Sequence, residues 1–315
     1  MERRSFLGGG AWTAGWAAAP QVALREWSQP EPVVLERDQP NQPHKGKVLA
    51  AIQPHCDDLP LFAGGLILKL IREGYTGYMI RTTNDEMAGR GRTMGEVVLN
   101  NEKDTYEVAS RLGLKKLFDL GYRNHEMDSI NPAELRHRLI FLFRVMKVDT
   151  VISYDPWGHY EENPDHYVTA QAVEAACWMS GGRWDLPEHF EAGLAPHGVK
   201  EKYYFARGPQ LVNRVVDISA VIDQKVEANL ANVTQGPAGE SGAALRAQLL
   251  RDGKRLPLLG NDDASANRNY IKHLVLAEDA EWGRRHNVPY AEPFHYIGPR
   301  QGRMADYVRQ NAVPL

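Results

Sequence analysis

Short apolar runs alternate along the chain with longer segments whose apolar positions recur every three or four residues. Lys47–Ile52 is apolar almost throughout and stops at Gln53-Pro54, the pattern of a parallel strand buried on both faces. Leu61–Ile71 repeats apolar residues at helical spacing, with Gly74 beyond it as a C-cap. Tyr75–Thr83 predicts a second strand, Asn84–Arg92 a loop, and Thr93–Leu112 a helix closed by Gly113. Leu117–Tyr122 and Thr150–Tyr154 predict strands on either side of a helix over Pro132–Met146, which opens on a proline in its first turn. A helix over Pro164–Met179 follows, then strands at Lys202–Ala206 and Arg214–Ile218, then helices over Ala220–Thr234 and Ala264–Arg285. Strands alternating with helices predict right-handed βαβ units. The expected fold class is therefore a single Rossmann-like α/β domain, a mostly parallel sheet with helices on both faces. Ligands bind such sheets beyond the carboxyl ends of the strands. Chemistry is expected after Ile52, Thr83, Tyr122 and Tyr154.

The two ends read differently. Residues 1–19 carry an arginine pair (Arg3, Arg4), then Ser-Phe-Leu and a Gly/Ala-rich, weakly apolar stretch, the layout of a twin-arginine export signal. Export to the periplasm or the medium is the expectation, with the cleavage position open and no stable membrane insertion of the mature chain. Residues 20–45 are rich in Pro, Gln and charge and are expected to form a linker or arm. The domain is expected over 46–300, with 301–315 as a tail.

Bulk properties narrow the function classes. With 37 basic against 40 acidic residues and a net charge of −3, the chain offers no field for nucleic acid, and a small-molecule or glycan substrate is expected. Two cysteines, Cys56 and Cys177, make a disulfide-stapled fold improbable on arithmetic alone, and both thiols are expected free. The sequence leaves the oligomeric state open.

Two clusters carry chemistry. Gln53-Pro-His-Cys-Asp-Asp-Leu59 follows the first strand and places His55, Asp57 and Asp58 on a strand-to-helix turn. Asn163-Pro-Asp-His166 follows the fourth strand and opens a helix. Two histidines and a carboxylate, with one position left for water, form a common catalytic zinc set. Such an ion acidifies water and polarises a carbonyl, and the second of two adjacent acids is free to accept the water proton. The same residues also suit helix capping, with Asp57 or Asp58 before one helix and Asn163 before the other. Neither G-x-G-x-x-G nor G-x-x-x-x-G-K-[ST] nor G-x-S-x-G occurs, which argues against a nucleotide-binding protein or a serine hydrolase.

In these motifs the sequence resembles the LmbE/PIG-L family of N-acetylglucosaminyl deacetylases, whose (P/A)HPDDE and HPDH appear here as Pro54–Leu59 and Asn163–His166. Gly64-Gly65, Thr83-Asn-Asp-Glu86, Leu120-Gly-Tyr122 and Ala291-Glu-Pro-Phe294 extend the likeness over residues 47–297. The resemblance implies that His55, Asp58 and His166 bind Zn2+ or another divalent metal, that Asp57 is the base, and that Asp165 supports the first position of HPDH. It implies a hydrolase of linear amides that removes N-acetyl from an amino sugar or its conjugate. Three departures stand out: Cys56 for proline, Leu59 for a glutamate that would orient a ligand, and Asn163 for a histidine. Asparagine can donate to an oxyanion but delivers no proton. His159 is a candidate replacement acid, and Glu161 stands where some members carry a carbonyl-polarising tyrosine. Arg90, Arg92 and Trp157 are candidate substrate contacts; His125 and Asp128 follow the third strand without a spacing that favours them. The departures keep two alternatives open: a non-catalytic carbohydrate- or metal-binding protein, and an amidase acting on a non-sugar N-acyl substrate.

Overall fold

A computed structural model describes residues 32–299 and 303–314. The arginine pair and the rest of the expected export signal lie outside the described residues. The strands are β1 (Val34–Glu36), β2 (Val48–Gln53), β3 (Thr76–Thr83), β4 (Leu117–Tyr122), β5 (Thr150–Tyr154), β6 (Glu201–Phe205), β7 (Arg214–Asp217) and β8 (Ala291–Ile297). They form one sheet in the order β1-β7-β8-β6-β5-β2-β3-β4. Only β8 runs antiparallel to its neighbours, β6 and β7. The run β4-β3-β2-β5-β6 is the Rossmann order, and its topological switch point falls between β2 and β5.

Helices α1 (Asp58–Phe62) and α2 (Gly64–Arg72) link β2 to β3, α3 (Met94–Arg111) links β3 to β4, and α4 (Pro132–Met146) links β4 to β5. Then α5 (Pro164–Met179) and the short α6 (Glu188–Glu191) lead to β6. After β7 come α7 (Ile222–Leu230), α8 (Ser241–Arg251), α9 (Asp263–Tyr270) and α10 (Ala277–Arg285), and α11 (Arg303–Asn311) follows β8. Two cores flank the sheet, and β2 feeds both by strand alternation. Its Leu49 and Ala51 pack with α1, α2, α3 and α7. Its Ala50 and Ile52 pack with α4 and α5. That double burial is why the run is apolar throughout. Each large side chain so buried contributes roughly 1.5–3 kcal/mol of transfer free energy.

Several expectations need correction. The segment 20–45 is not all linker, because Val34–Glu36 pairs in parallel with β7 as an edge strand. Glu36 fixes it there, accepting from Lys69 Nζ at 2.9 Å, Tyr203 Oη at 2.9 Å and Arg214 Nη1 at 3.0 Å. The first helix starts earlier than its apolar period and breaks at Ala63. Glu292 of β8 caps the second piece, its carboxylate accepting from Gly65 N at 2.8 Å and Leu66 N at 2.7 Å. The helix expected over 220–234 ends at Leu230, and 264–285 is interrupted by a π turn at Ile271–Val275. The tail 301–315 contains α11. Besides β1 and α11, the short helix α6 and the elements α8 and β8 went unforeseen; Pro293 inside β8 supplies no ladder donor and hides the strand.

Candidate metal centre

The loops after β2 and β5 meet at the switch point. Pro54 O accepts from Thr83 N at 3.2 Å, and Cys56 N donates to Asp85 Oδ2 at 3.1 Å, so the β2 loop is tied to the end of β3. Arg81 binds the same Asp85 oxygen and Asp119. Thr83–Glu86, a motif without an evident role in the sequence, thus holds the loop that bears His55, Asp57 and Asp58. The second loop is shaped by Asn163, whose Oδ1 caps α5 by accepting from Asp165 N at 2.9 Å.

Three buried donors converge. His55 Nδ1 lies 3.0 Å from His166 Nε2 and 3.5 Å from Asp58 Oδ2, and His166 Nε2 lies 3.5 Å from Asp58 Oδ1. Donors around a tetrahedral ion at about 2.0–2.1 Å stand roughly 3.3 Å apart. The residues His55, Asp58 and His166 therefore fit a divalent cation, and they are the one such group among the described residues. Each is oriented from behind. Asp58 Oδ1 accepts from Tyr154 Oη at 2.6 Å, and its Oδ2 accepts from His55 N at 2.9 Å. The Tyr154 ring stacks on His166 at 4.1 Å, and Glu161 Oε1 approaches His166 Nδ1 to 3.1 Å.

The role the resemblance gave Asp165 is corrected here. Its carboxylate does not address residue 163; Oδ2 sits 3.0 Å from His55 Nε2 and accepts from His125 N at 2.7 Å. This is the carboxylate–histidine pairing that fixes which nitrogen faces a metal. It also supplies what Leu59 cannot, since Leu59 is fully buried in the apolar core.

Electrostatics agree with a site built for a cation. Burial opposes charge on His55, yet the Asp165 hydrogen bond, then Asp58, outweigh it and raise the imidazole well above its ordinary pKa. Burial likewise opposes ionisation of Asp58, but His166, His55 and Tyr154 bring it down to about 2. Asp57 points the other way: burial first, then the Asp58 charge, push it up to about 7. A cation in the triad would pull it back down. Burial and the Asp85 and Asp57 charges raise the Cys56 thiol, which stays protonated.

A cleft of ≈ 310 Å³ opens over the triad, with Asp57, Asn163, Asn124, His125, Arg207 and Gln235 on its walls. Sequence reasoning missed Arg207, Gln235 and Asn124, which sit on elements that bear no motif. His125 was noticed but not favoured. Four expected contacts are not on these walls. Arg90 is exposed and lies 3.9 Å from Glu240, and Arg92 pairs with Glu96 at 3.1 Å. Trp157 packs 5.5 Å from the His295 ring, and His159 donates its N–H to Pro209 O at 2.9 Å. Asp128 is exposed in a short 3-10 turn. Both cysteines are free and buried.

Residues 50–177 match the family described as PIG-L: GlcNAc-PI de-N-acetylase. The chain is 31% identical to the diacetylchitobiose deacetylase of Thermococcus kodakarensis over 204 residues, 61% of this chain and 71% of the relative. The chain belongs to the PIG-L family. It is also 26% identical to the 1D-myo-inositol 2-acetamido-2-deoxy-alpha-D-glucopyranoside deacetylase of Mycolicibacterium smegmatis over 267 residues, 70% of this chain and 89% of the relative. Among solved structures, the N,N'-diacetylchitobiose deacetylase from Pyrococcus horikoshii superposes with a TM-score of 0.62 at 22% identity, covering 83% of this chain and 88% of that one. A 4-carboxy-2-hydroxymuconate hydratase from Pseudomonas putida shares the fold at a TM-score of 0.57 and 16% identity. The fold alone therefore does not fix the reaction; the residues at the site do.

Proposed function

We propose that this PIG-L member is a zinc-dependent hydrolase that removes N-acetyl from an amino sugar or sugar conjugate, exported by the twin-arginine route. The convergence of His55, Asp58 and His166 beside a free carboxylate, Asp57, carries the reading. The named relatives act on acetylated amino-sugar compounds, which supports that substrate class. A divalent ion held by the triad supplies Lewis acidity toward water and the amide carbonyl.

The chain's own residues do the rest. Asp57 stands on the cleft wall next to the triad and takes the proton of the attacking water, then delivers it to the departing amine. Asn163 spends Oδ1 on its cap, which leaves Nδ2 to donate toward the developing oxyanion. Asp165 keeps the His55 ring in place throughout. His125 lies on the cleft wall, which supports it over His159 as an imidazole that assists at the amine.

The test is metal content of the purified mature protein, run with acetate release from a panel of N-acetylated amino sugars. One zinc per chain and zinc-dependent acetate release support the reading. Metal without acetate release from any sugar would move the activity to other N-acyl substrates or to binding. No metal under zinc-reloading conditions would overturn it.

A further inference from the structure

The loop bearing Asp57 has lost a rigid residue, because Cys56 occupies the position that is proline in the motif it resembles. The Asp57 side chain makes no capping hydrogen bond to α1, and within its own loop only its own backbone N–H supports the carboxylate. What abuts it is the segment 232–239, which arrives from the C-terminal end of α7. Gly236 in that segment has φ +81°, and a Cβ built on it would stand 2.6 Å from Asp57 Oδ2 and 3.0 Å from Asp57 Cβ. The strap cannot drift. Asp104 of α3 accepts from Val233 N at 2.9 Å and Thr234 N at 2.7 Å, Thr234 O accepts from Arg90 N at 3.0 Å, and Gly239 N donates to Asn229 O at 3.2 Å. It is also clasped to the Asp57 loop itself. Gln235 Nε2 donates to Cys56 Sγ at 3.1 Å, and that thiol faces two acceptors, Asn232 Oδ1 of the strap at 3.0 Å and Asn101 Oδ1 of α3 at 3.3 Å.

We infer that Gly236 is a positioning residue for the base, and that the Gln235–Cys56–Asn232 clasp sets the distance between strap and base in place of the missing proline. The inference rests on the proposed function of Asp57. Physically, the only bulk that fits against the carboxylate at this approach is a hydrogen, and the group that must give way to a methyl is the Asp57 side chain from its Cβ outward. A displacement near 1 Å of a reacting group costs on the order of 10²-fold in rate. His55 and Asp58 share this loop, but their ligating groups are held from the far side by Asp165 and Tyr154, so the expected loss falls on the base and not on the metal.

The experiment compares Gly236→Ala with Gly253→Ala. Gly253 also has positive φ, +65°, but a Cβ there meets nothing within 4 Å. Both variants should lower Tm through the left-handed backbone that disfavours alanine, and Gly236→Ala by more because of the close contact with Asp57. Gly236→Ala alone should lose about 10²-fold in kcat, at unchanged KM and one zinc per chain. Gln235→Ala provides a readout independent of turnover. Mass-spectrometric mapping of alkylation should show Cys56 labelled faster than in the parent, while Cys177, buried against the opposite face of the sheet, stays protected as the marker of global opening. Parental kcat in Gly236→Ala, or unchanged protection of Cys56 in Gln235→Ala, would overturn the inference. If the zinc-loaded parent releases no acetate at all, the proposed function fails while the alkylation result still decides the clasp.

Discussion

Two clusters of buried charge in this fold end differently. At the strut between α7, α10 and β8, Lys225 Nζ is fully buried between Asp279 Oδ2 at 2.6 Å and Glu292 Oε1 at 2.7 Å. Glu292 spends its remaining capacity on the N-terminus of α2. Every charge there finds its partner within the chain. At the metal centre, Asp58 and Asp165 are equally buried, but what faces them are two imidazoles aimed at one point. Among the described residues no lysine or arginine pairs with Asp58 or Asp165. The difference separates a strut from a site. A buried carboxylate cluster containing its own cation is an internal brace, whereas one that lacks it is built to take a cation from outside.

His166→Ala probes the second half of that comparison with the largest expected effect: loss of the bound zinc by calorimetry, and loss of acetate release by 10³-fold or more, on the order expected when a metal-activated nucleophile is lost. Retained stoichiometric zinc would show that the triad is not the ligand set. Asp57→Asn should keep the metal yet lower kcat by about 10²–10⁴-fold, the range of a lost general base. Lys225→Met probes the first half. Leaving Asp279 and Glu292 buried and unpaired should cost about 3–5 kcal/mol in urea unfolding, with zinc per folded chain unchanged. A change in zinc stoichiometry instead would mean that strut and site are one unit.

Smaller effects sharpen the picture at the edges. Asn163→Ala removes a helix cap, about 1 kcal/mol of stability, and in addition should lower kcat by about 10²-fold if Nδ2 serves the oxyanion; stability loss with parental kcat would leave it a cap alone. Asp149, which accepts from Lys200 Nζ at 2.9 Å and Val48 N at 3.1 Å, should show the least. Burial opposes its charge, but the Lys200 and Val48 hydrogen bonds prevail and hold it below the usual carboxylate range. A depressed folded-state pKa stabilises above the unfolded value of about 4 and is lost as pH falls through the folded one. The parent should therefore lose under about 1 kcal/mol more than Asp149→Asn on acidification, since Lys200 is largely exposed.

How much of this was legible depended on how local the cause was. The strands β2, β4 and β5 and the helices α4 and α5 follow from runs and periods within a dozen residues, and the triad from two motifs at strand ends. The roles of Asp165 and Asp85 were not legible. Asp165 looks local to Asn163 along the chain, but the turn of α5 aims it across the switch point at His55. Asp85 looks like part of a loop, yet it holds Cys56 N. Arg90 and Arg92 offered charge without anchorage and proved to be surface pairs.

By itself the sequence determined most of the alternation of elements and the fold class, because apolar periodicity is a short-range property of the chain, and its two strand-end motifs, through their resemblance to the family's, pointed to the candidate triad. Only the tertiary structure decided which carboxylate orients His55, that Glu292 caps a helix 227 residues away, and that Gly236 abuts Asp57. Those are contacts between segments with no common period, made only when the crossovers bring the strand ends to one rim and the segment after α7 folds back over it.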